Sequence, residues 1–117
     1  MDMKLYHATY KARISSIKEF GLGAKQFKNW IGISADGVVY FSPDPYIAES
    51  YCEVAEDVED EVYDSGIVIL CVDSMELDEC SLWEESEDEV VYTGVISPEL
   101  LYIWNEDELT PLLSMKM

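Results

Sequence analysis

The chain carries a single imidazole, His7, in the run Leu5-Tyr6-His7-Ala8-Thr9. Strand periodicity puts His7 on the face of Leu5, with Tyr6 and Ala8 on the other. An inward-facing histidine is either a structural group or one held ready for a ligand, and once buried it needs hydrogen-bond partners in both cases. A second set of functional side chains runs Tyr40-Phe41-Ser42-Pro43-Asp44-Pro45-Tyr46-Ile47-Ala48-Glu49-Ser50-Tyr51, with Tyr40 and Tyr51 eleven positions apart. If strand, turn and helix fold back on each other, two facing phenol rings make a slot for a flat heteroaromatic. Otherwise both are half-buried core tyrosines. The third set is Glu87-Asp88-Glu89, running into Val90-Val91. Alternation puts Glu87 and Glu89 on the face of Val91, and a carboxylate on a buried strand face is costly without a task or a partner. The competing reading is a solvated charge run.

These groups need elements to position them. Met3–Tyr10 reads as a strand. Lys11–Phe20 follows with a helical stripe of Ile14, Ile17, Lys18, Phe20 and Leu22, stopped by Gly21 and Gly23. Residues 24–37 read as a loop with a short extended piece at Trp30–Ser34 and a turn at Asp36-Gly37. Val38–Ser42 is a β-rich run. Asp44 then looks like a helix N-cap with Pro45 in the first helical position, and the pattern Tyr46, Ile47, Ala48, Tyr51, Val54, Ala55 runs to about residue 58. The acidic stretch Glu56–Glu61 is where that helix would fray. Ile67–Val72 is a continuous apolar run, the mark of a central strand buried on both faces. Residues 73–88 read as an irregular acidic connection, Glu89–Ile96 as a strand, Ser97-Pro98-Glu99 as a tight helical start and Leu100–Trp104 as an edge strand before a tail through Pro111-Leu112-Leu113. Five or six strands and two or three short helices, out of simple alternation, indicate an α+β fold. The length of 117 residues suits a single domain over 1–117.

Charge narrows the partners. The formal net charge is −18, from 25 acidic and 7 basic residues. Six of the bases lie in the first 28 positions, and residues 29–115 contain no Lys or Arg. Such a surface repels phosphate backbones, so direct nucleic-acid binding is not expected. It suits a basic protein partner, or simply solubility. No apolar run reaches the ~20 residues of a membrane span. Three cysteines (Cys52, Cys71, Cys80) without C-x-x-C spacing, and one His, give no expectation of a structural metal site. Each cysteine reads as a small buried hydrophobe, and the composition and the Met1–Lys4 start fit a cytoplasmic protein without a secretory signal.

In order along the chain, these signals resemble the histidine–tyrosine–glutamate branch of the ADP-ribosyltransferase superfamily, which includes the diphtheria-toxin-like toxins and the poly(ADP-ribose) polymerases. Leu5–Thr9 is similar to the family's "L-Y-H-G-T" strand, and Ile17–Leu22 to its short helix ending in "G-L". Gly37-Val38-Val39-Tyr40-Phe41 looks like "G-V-Y-F", with Tyr40 and Tyr51 as the paired tyrosines. Glu89 to Glu99 resembles the strand that begins with glutamate and runs into "I-x-P-E". The likeness covers about residues 4–58 and 87–103.

The resemblance implies an ADP-ribosyltransferase-like split β-sheet with short flanking helices, and NAD as substrate in a cleft between its halves. It implies that His7 binds a ribose hydroxyl, that the Ala8 backbone pairs with the nicotinamide amide, and that Tyr40 and Tyr51 sandwich the nicotinamide ring. Thr9, Ser42 and Ala48 complete the implied cofactor-binding positions, Ala48 standing where the polymerases carry a serine. The catalytic set is His7 with Glu89 or Glu87, the carboxylate stabilising an oxocarbenium-like ion. The basic N-terminal residues Lys4, Lys11, Arg13, Lys25 and Lys28 are the available partners for the phosphates. The expected activity is mono-ADP-ribosylation of a protein. The alternative is a non-enzymatic acidic binder that keeps the fold and mimics nucleic-acid phosphates to block a basic partner, as a virus-encoded inhibitor would.

Overall fold

The run Ile67–Asp73 organises the molecule. In the computed structural model, which describes residues 3–23, 38–53, 66–106 and 108–114, it is a strand with four consecutive buried residues, Ile69 to Val72. Such a strand needs cover on both faces and pairing on both edges. One edge takes β1 (Lys4–Tyr10), antiparallel, with Lys4 opposite Asp73 and Tyr10 opposite Ile67. Taking Ile67–Asp73 as β3, its other edge takes β6 (Tyr102–Asn105), with Ile69 opposite Trp104, and β7 (Glu108–Pro111) closes the order β1-β3-β6-β7. A second antiparallel sheet has the order β2-β5-β4, built from Val38–Phe41, Glu89–Thr93 and Leu82–Ser86. The protein is a small α+β domain with two antiparallel sheets and few helices.

Among the described residues, two α-helices accompany the sheets. α1 (Ile14–Phe20) follows a 3-10 turn at Lys11–Arg13 and buries Ile14 and Ile17. Phe20, expected in that stripe, is 40% exposed, because the helix ends at Gly21 before another turn forms. α2 (Pro45–Glu53) starts as the Asp44-Pro45 pair requires, the Asp44 carboxylate accepting the Tyr46 N–H at 2.9 Å. It packs on β1 and β3 through Ala48, with Ala8, Tyr10 and Ile69. Tyr46, expected in the buried pattern, is 67% exposed, since it lies beyond that contact. The larger core joins the two sheets and contains Leu5, Phe41, Leu70, Val90, Ile96 and Leu101. The extended piece at 30–34, the turn at 36–37 and the acidic stretch 56–61 lie outside the described residues.

Two strand assignments change. The 73–88 connection contains β4, whose residues after Leu82 are all exposed. An edge strand held by pairing with β5 needs no apolar face, so periodicity does not reveal it. The edge strand expected at 100–104 lies inside the sheet, because the polar segment Glu108–Pro111 pairs beyond it.

After α1 the chain docks against the segment after β5 through Leu22 and Ile96, which exchange N–H···O bonds of 3.0 and 2.8 Å. Gly21 (φ 90°) and Gly23 (φ 93°) flank this bridge, and a Cβ on Gly23 would sit 2.5 Å from the Gly94 carbonyl oxygen. Both the conformation and the contact exclude a side chain. Gly23→Ala is expected to lower unfolding stability by at least about 2 kcal/mol, read by urea denaturation. A variant as stable as the parent would contradict this packing.

Candidate functional site

The two sheets meet where β1 passes β2. Tyr6 N–H donates to the Ser42 carbonyl at 2.8 Å and Ser42 N–H to the Tyr6 carbonyl at 3.0 Å, an isolated antiparallel bridge. Alternate residues of a strand direct their backbone groups to the same edge. The groups of Ala8 and of Tyr40 therefore point into the gap beyond the bridge, where the strands part. There the Tyr40 carbonyl accepts a 2.8 Å hydrogen bond from His7 Nδ1. A carbonyl only accepts, so Nδ1 carries the proton and Nε2 is the acceptor nitrogen of the ring.

His7 is 1% exposed and meets Phe41 edge-on, with ring centroids 5.9 Å apart. Burial lowers its pKa to about 4, against the smaller opposing effect of the Tyr40 carbonyl. The imidazole is neutral near pH 7. Two positions on, on the same strand face, Thr9 is 2% exposed, and its hydroxyl has no hydrogen-bond partner among the described residues. The Ser42 hydroxyl is buried and accepts the Asp44 N–H at 3.1 Å, shaping the turn into α2.

The second sheet brings Tyr40 and Glu89 to one face. Phe41 pairs with Val90 and Tyr40 with Val91. Phe41 and Val90 point into the main core, so Tyr40 and Val91 share the reverse face, and Glu89, two positions before Val91, shares it too, whereas the His7 ring lies on the core side against Phe41, so the side chains of His7 and Glu89 are on opposite faces. Glu89 is half-buried at the first position of β5. Glu87 was expected on the same strand face. It lies instead, exposed, in the turn between β4 and β5, because pairing begins at Ser86 opposite Glu89. The side chains of Ala8 and Ala48 pack together on the α2 side of β1, away from His7, so only the backbone of Ala8 faces the gap. Tyr51 belongs to α2, but its side chain, and hence the Tyr40–Tyr51 ring pair, lies outside the described residues.

The Tyr40 carbonyl and Phe41, the wall and anchor of His7, escape sequence reasoning. The anchor is a backbone atom with no residue signature, and Phe41 reads simply as core. Of the basic residues, Lys4 edges a cavity of about 440 Å³ with Cys71, Asp73 and Tyr102, on the Tyr6 face of the sheet rather than beside His7. Lys11 is exposed just after β1, and Lys25 and Lys28 lie outside the described residues. A second cavity of about 390 Å³ lies against α2, β3 and β6. Neither of these two cavities touches His7, Thr9, Tyr40 or Glu89. Cys71 is buried as expected, and burial pushes its thiol up to about 11, with Lys4 opposing. Cys80 is exposed, contrary to expectation, because it lies in the 3-10 turn Glu79–Ser81 before β4. The Cys52 side chain lies outside the described residues. Among the described residues no helix is long and apolar enough to cross a membrane.

The chain matches no protein-family model, and no curated protein or solved structure matches it at a significant level.

The His7 environment dictates a pH response. The folded state resists protonation down to about pH 4, whereas the unfolded chain takes the proton near 6.5. This contribution is present in full above pH 6.5 and is lost as pH falls toward 4. Between pH 7.5 and 5 it amounts to about 2 kcal/mol. His7 is the sole histidine, so His7→Gln is expected to remove that part of the slope in urea denaturation across this range. Equal slopes for the two proteins would contradict a buried neutral imidazole.

Proposed function

We propose that this protein takes NAD at the seam between its two sheets and transfers ADP-ribose from it to a protein acceptor, on an ADP-ribosyltransferase-like fold. The observation that carries this reading is the gap where β1 and β2 part. Its edges are the backbone groups of Ala8 and a neutral His7 tied to the Tyr40 carbonyl, and beside it lies the hydroxyl of Thr9, which has no partner among the described residues. A buried hydroxyl without a partner costs about 1–3 kcal/mol, and a polar ligand at the seam would recover it. The groups at the seam fit a ribose and a carboxamide: the Ala8 N–H and C=O suit an amide, and the Thr9 hydroxyl both donates and accepts.

Glu89 supplies the charge for the reaction. The bond between ribose C1′ and the nicotinamide nitrogen breaks, and nicotinamide leaves with the electron pair as a neutral molecule. The cationic C1′ then bonds to a lone pair of the acceptor, whose proton passes to solvent. A carboxylate facing the ribose stabilises that cation in the transition state. Of the two carboxylates, Glu89, half-buried on the Tyr40 face, suits this role better than Glu87, exposed in a turn, and it would approach the seam from the side opposite the His7 ring. The excess of acidic residues favours a basic protein as acceptor over a nucleic acid.

One observation favours the second reading, a non-enzymatic acidic binder. His7 is almost fully enclosed, and both cavities named above open elsewhere.

Nicotinamide release from NAD in the presence of a basic protein mixture separates the two readings. Under the first, Glu89→Gln lowers release by about 10²–10³-fold, and Glu87→Gln leaves it unchanged. Thr9→Val is expected to raise the stability of the free protein by about 1 kcal/mol while weakening NAD binding, seen as a smaller thermal shift. Absence of both nicotinamide release and an NAD-dependent rise in melting temperature would remove the enzymatic reading and leave the binder.

A further inference from the structure

The four-stranded sheet has a second built feature on the face opposite His7. Tyr6, Trp104 and Tyr46 form a row of perpendicular rings, with centroids 6.0 Å apart between Tyr6 and Trp104 and 5.7 Å between Trp104 and Tyr46. Tyr6 and Trp104 pack against the core beneath α2, while Tyr46 stands in solvent. The last two rings border the cavity of about 390 Å³, whose floor includes Ile67 and Ile69 and whose rim carries Glu49 and Glu106. No Lys or Arg lines it among the described residues. Glu106 holds a positive φ of 44° at the β6–β7 turn, a conformation that suits Gly or Asn better than Glu.

We propose that this cavity binds an arginine side chain of a basic partner protein. Ring faces attract cations. Two carboxylates at the rim add charge-assisted hydrogen bonds, and a planar guanidinium can stack on a ring while its N–H groups reach sideways to them. The charge matches on a larger scale too, since the neighbouring cavity on this face is lined by Asp73, Glu76 and Glu99 with Lys4 as its one base among the described residues. Exposed Tyr beside Trp is the composition of an interface anchor. This site lies on the other face of the sheet from His7 and does not depend on the NAD reading.

The test uses the full ¹⁵N-labelled chain, with Nα-acetyl-arginine amide as probe and the neutral isostere Nα-acetyl-citrulline amide as control, at physiological salt. The readout is the indole N–H signal of Trp104, identified by its loss in Trp104→Phe. Arginine amide is expected to shift this signal saturably, and citrulline amide is not. Tyr46→Ala and Glu106→Gln are each expected to weaken binding about five- to tenfold, with the amide spectrum reporting an intact fold. Glu84→Gln, an exposed carboxylate on β4, is expected to leave it unchanged. Equal responses to the two amides, equal shifts at Trp83 and Trp104, or undiminished binding by folded Tyr46→Ala and Glu106→Gln would overturn the proposal.

Discussion

The hydrogen bond from the His7 ring to the Tyr40 carbonyl is the constraint on which the arrangement of this protein depends. β2 pairs with β5 on one edge and must leave the other edge where the sheets separate. After the Tyr6–Ser42 bridge no ladder between β1 and β2 continues among the described residues, and the Tyr40 carbonyl accepts from the His7 ring instead. The imidazole fills the place of the next ladder bond while keeping the strands apart. The same bond fixes the tautomer, and burial keeps the ring neutral. A gap with an ordered edge follows from one backbone acceptor and one side chain.

β1 carries the consequences to both sides of the sheet. Leu5, His7 and Thr9 face the core shared with β2 and β5, whereas Tyr6, Ala8 and Tyr10 face α2. One strand thus separates the seam proposed for NAD from the aromatic corner proposed for a basic partner. The acidic residues follow the same division of labour. They crowd the edge strand β4 and the β6–β7 turn, where charge discourages strand addition by other molecules. They also rim the cavities of the α2 face, where charge attracts cationic groups.

Much of this was legible in the residues. The run Ile67–Val72 announced a central strand, Asp44-Pro45 announced the start of α2, and Gly21 announced the end of α1. Those features are local, and local chemistry decides them. β4 and β7 were hidden because an edge strand is held by its neighbour and needs no apolar alternation of its own. The inner position of β6 was hidden for the same reason, since it depends on where Glu108–Pro111 pairs. In the site, His7 stood out as the single imidazole in an apolar strand, and Glu89 only as the end of an acidic run entering one. Glu87 was indistinguishable from Glu89 because alternation alone does not locate the first residue of a strand. The partner of His7 was illegible in principle, being a carbonyl that every residue possesses.

The ¹⁵N spectrum of the single imidazole, followed from pH 8 to pH 5, tests the central interaction directly. The bond to the Tyr40 carbonyl requires Nδ1 to be the protonated nitrogen and Nε2 the bare one, with no titration across that range. A ring with the proton on Nε2, or one that titrates near its ordinary value of about 6.5, would mean that the seam is not built on this bond.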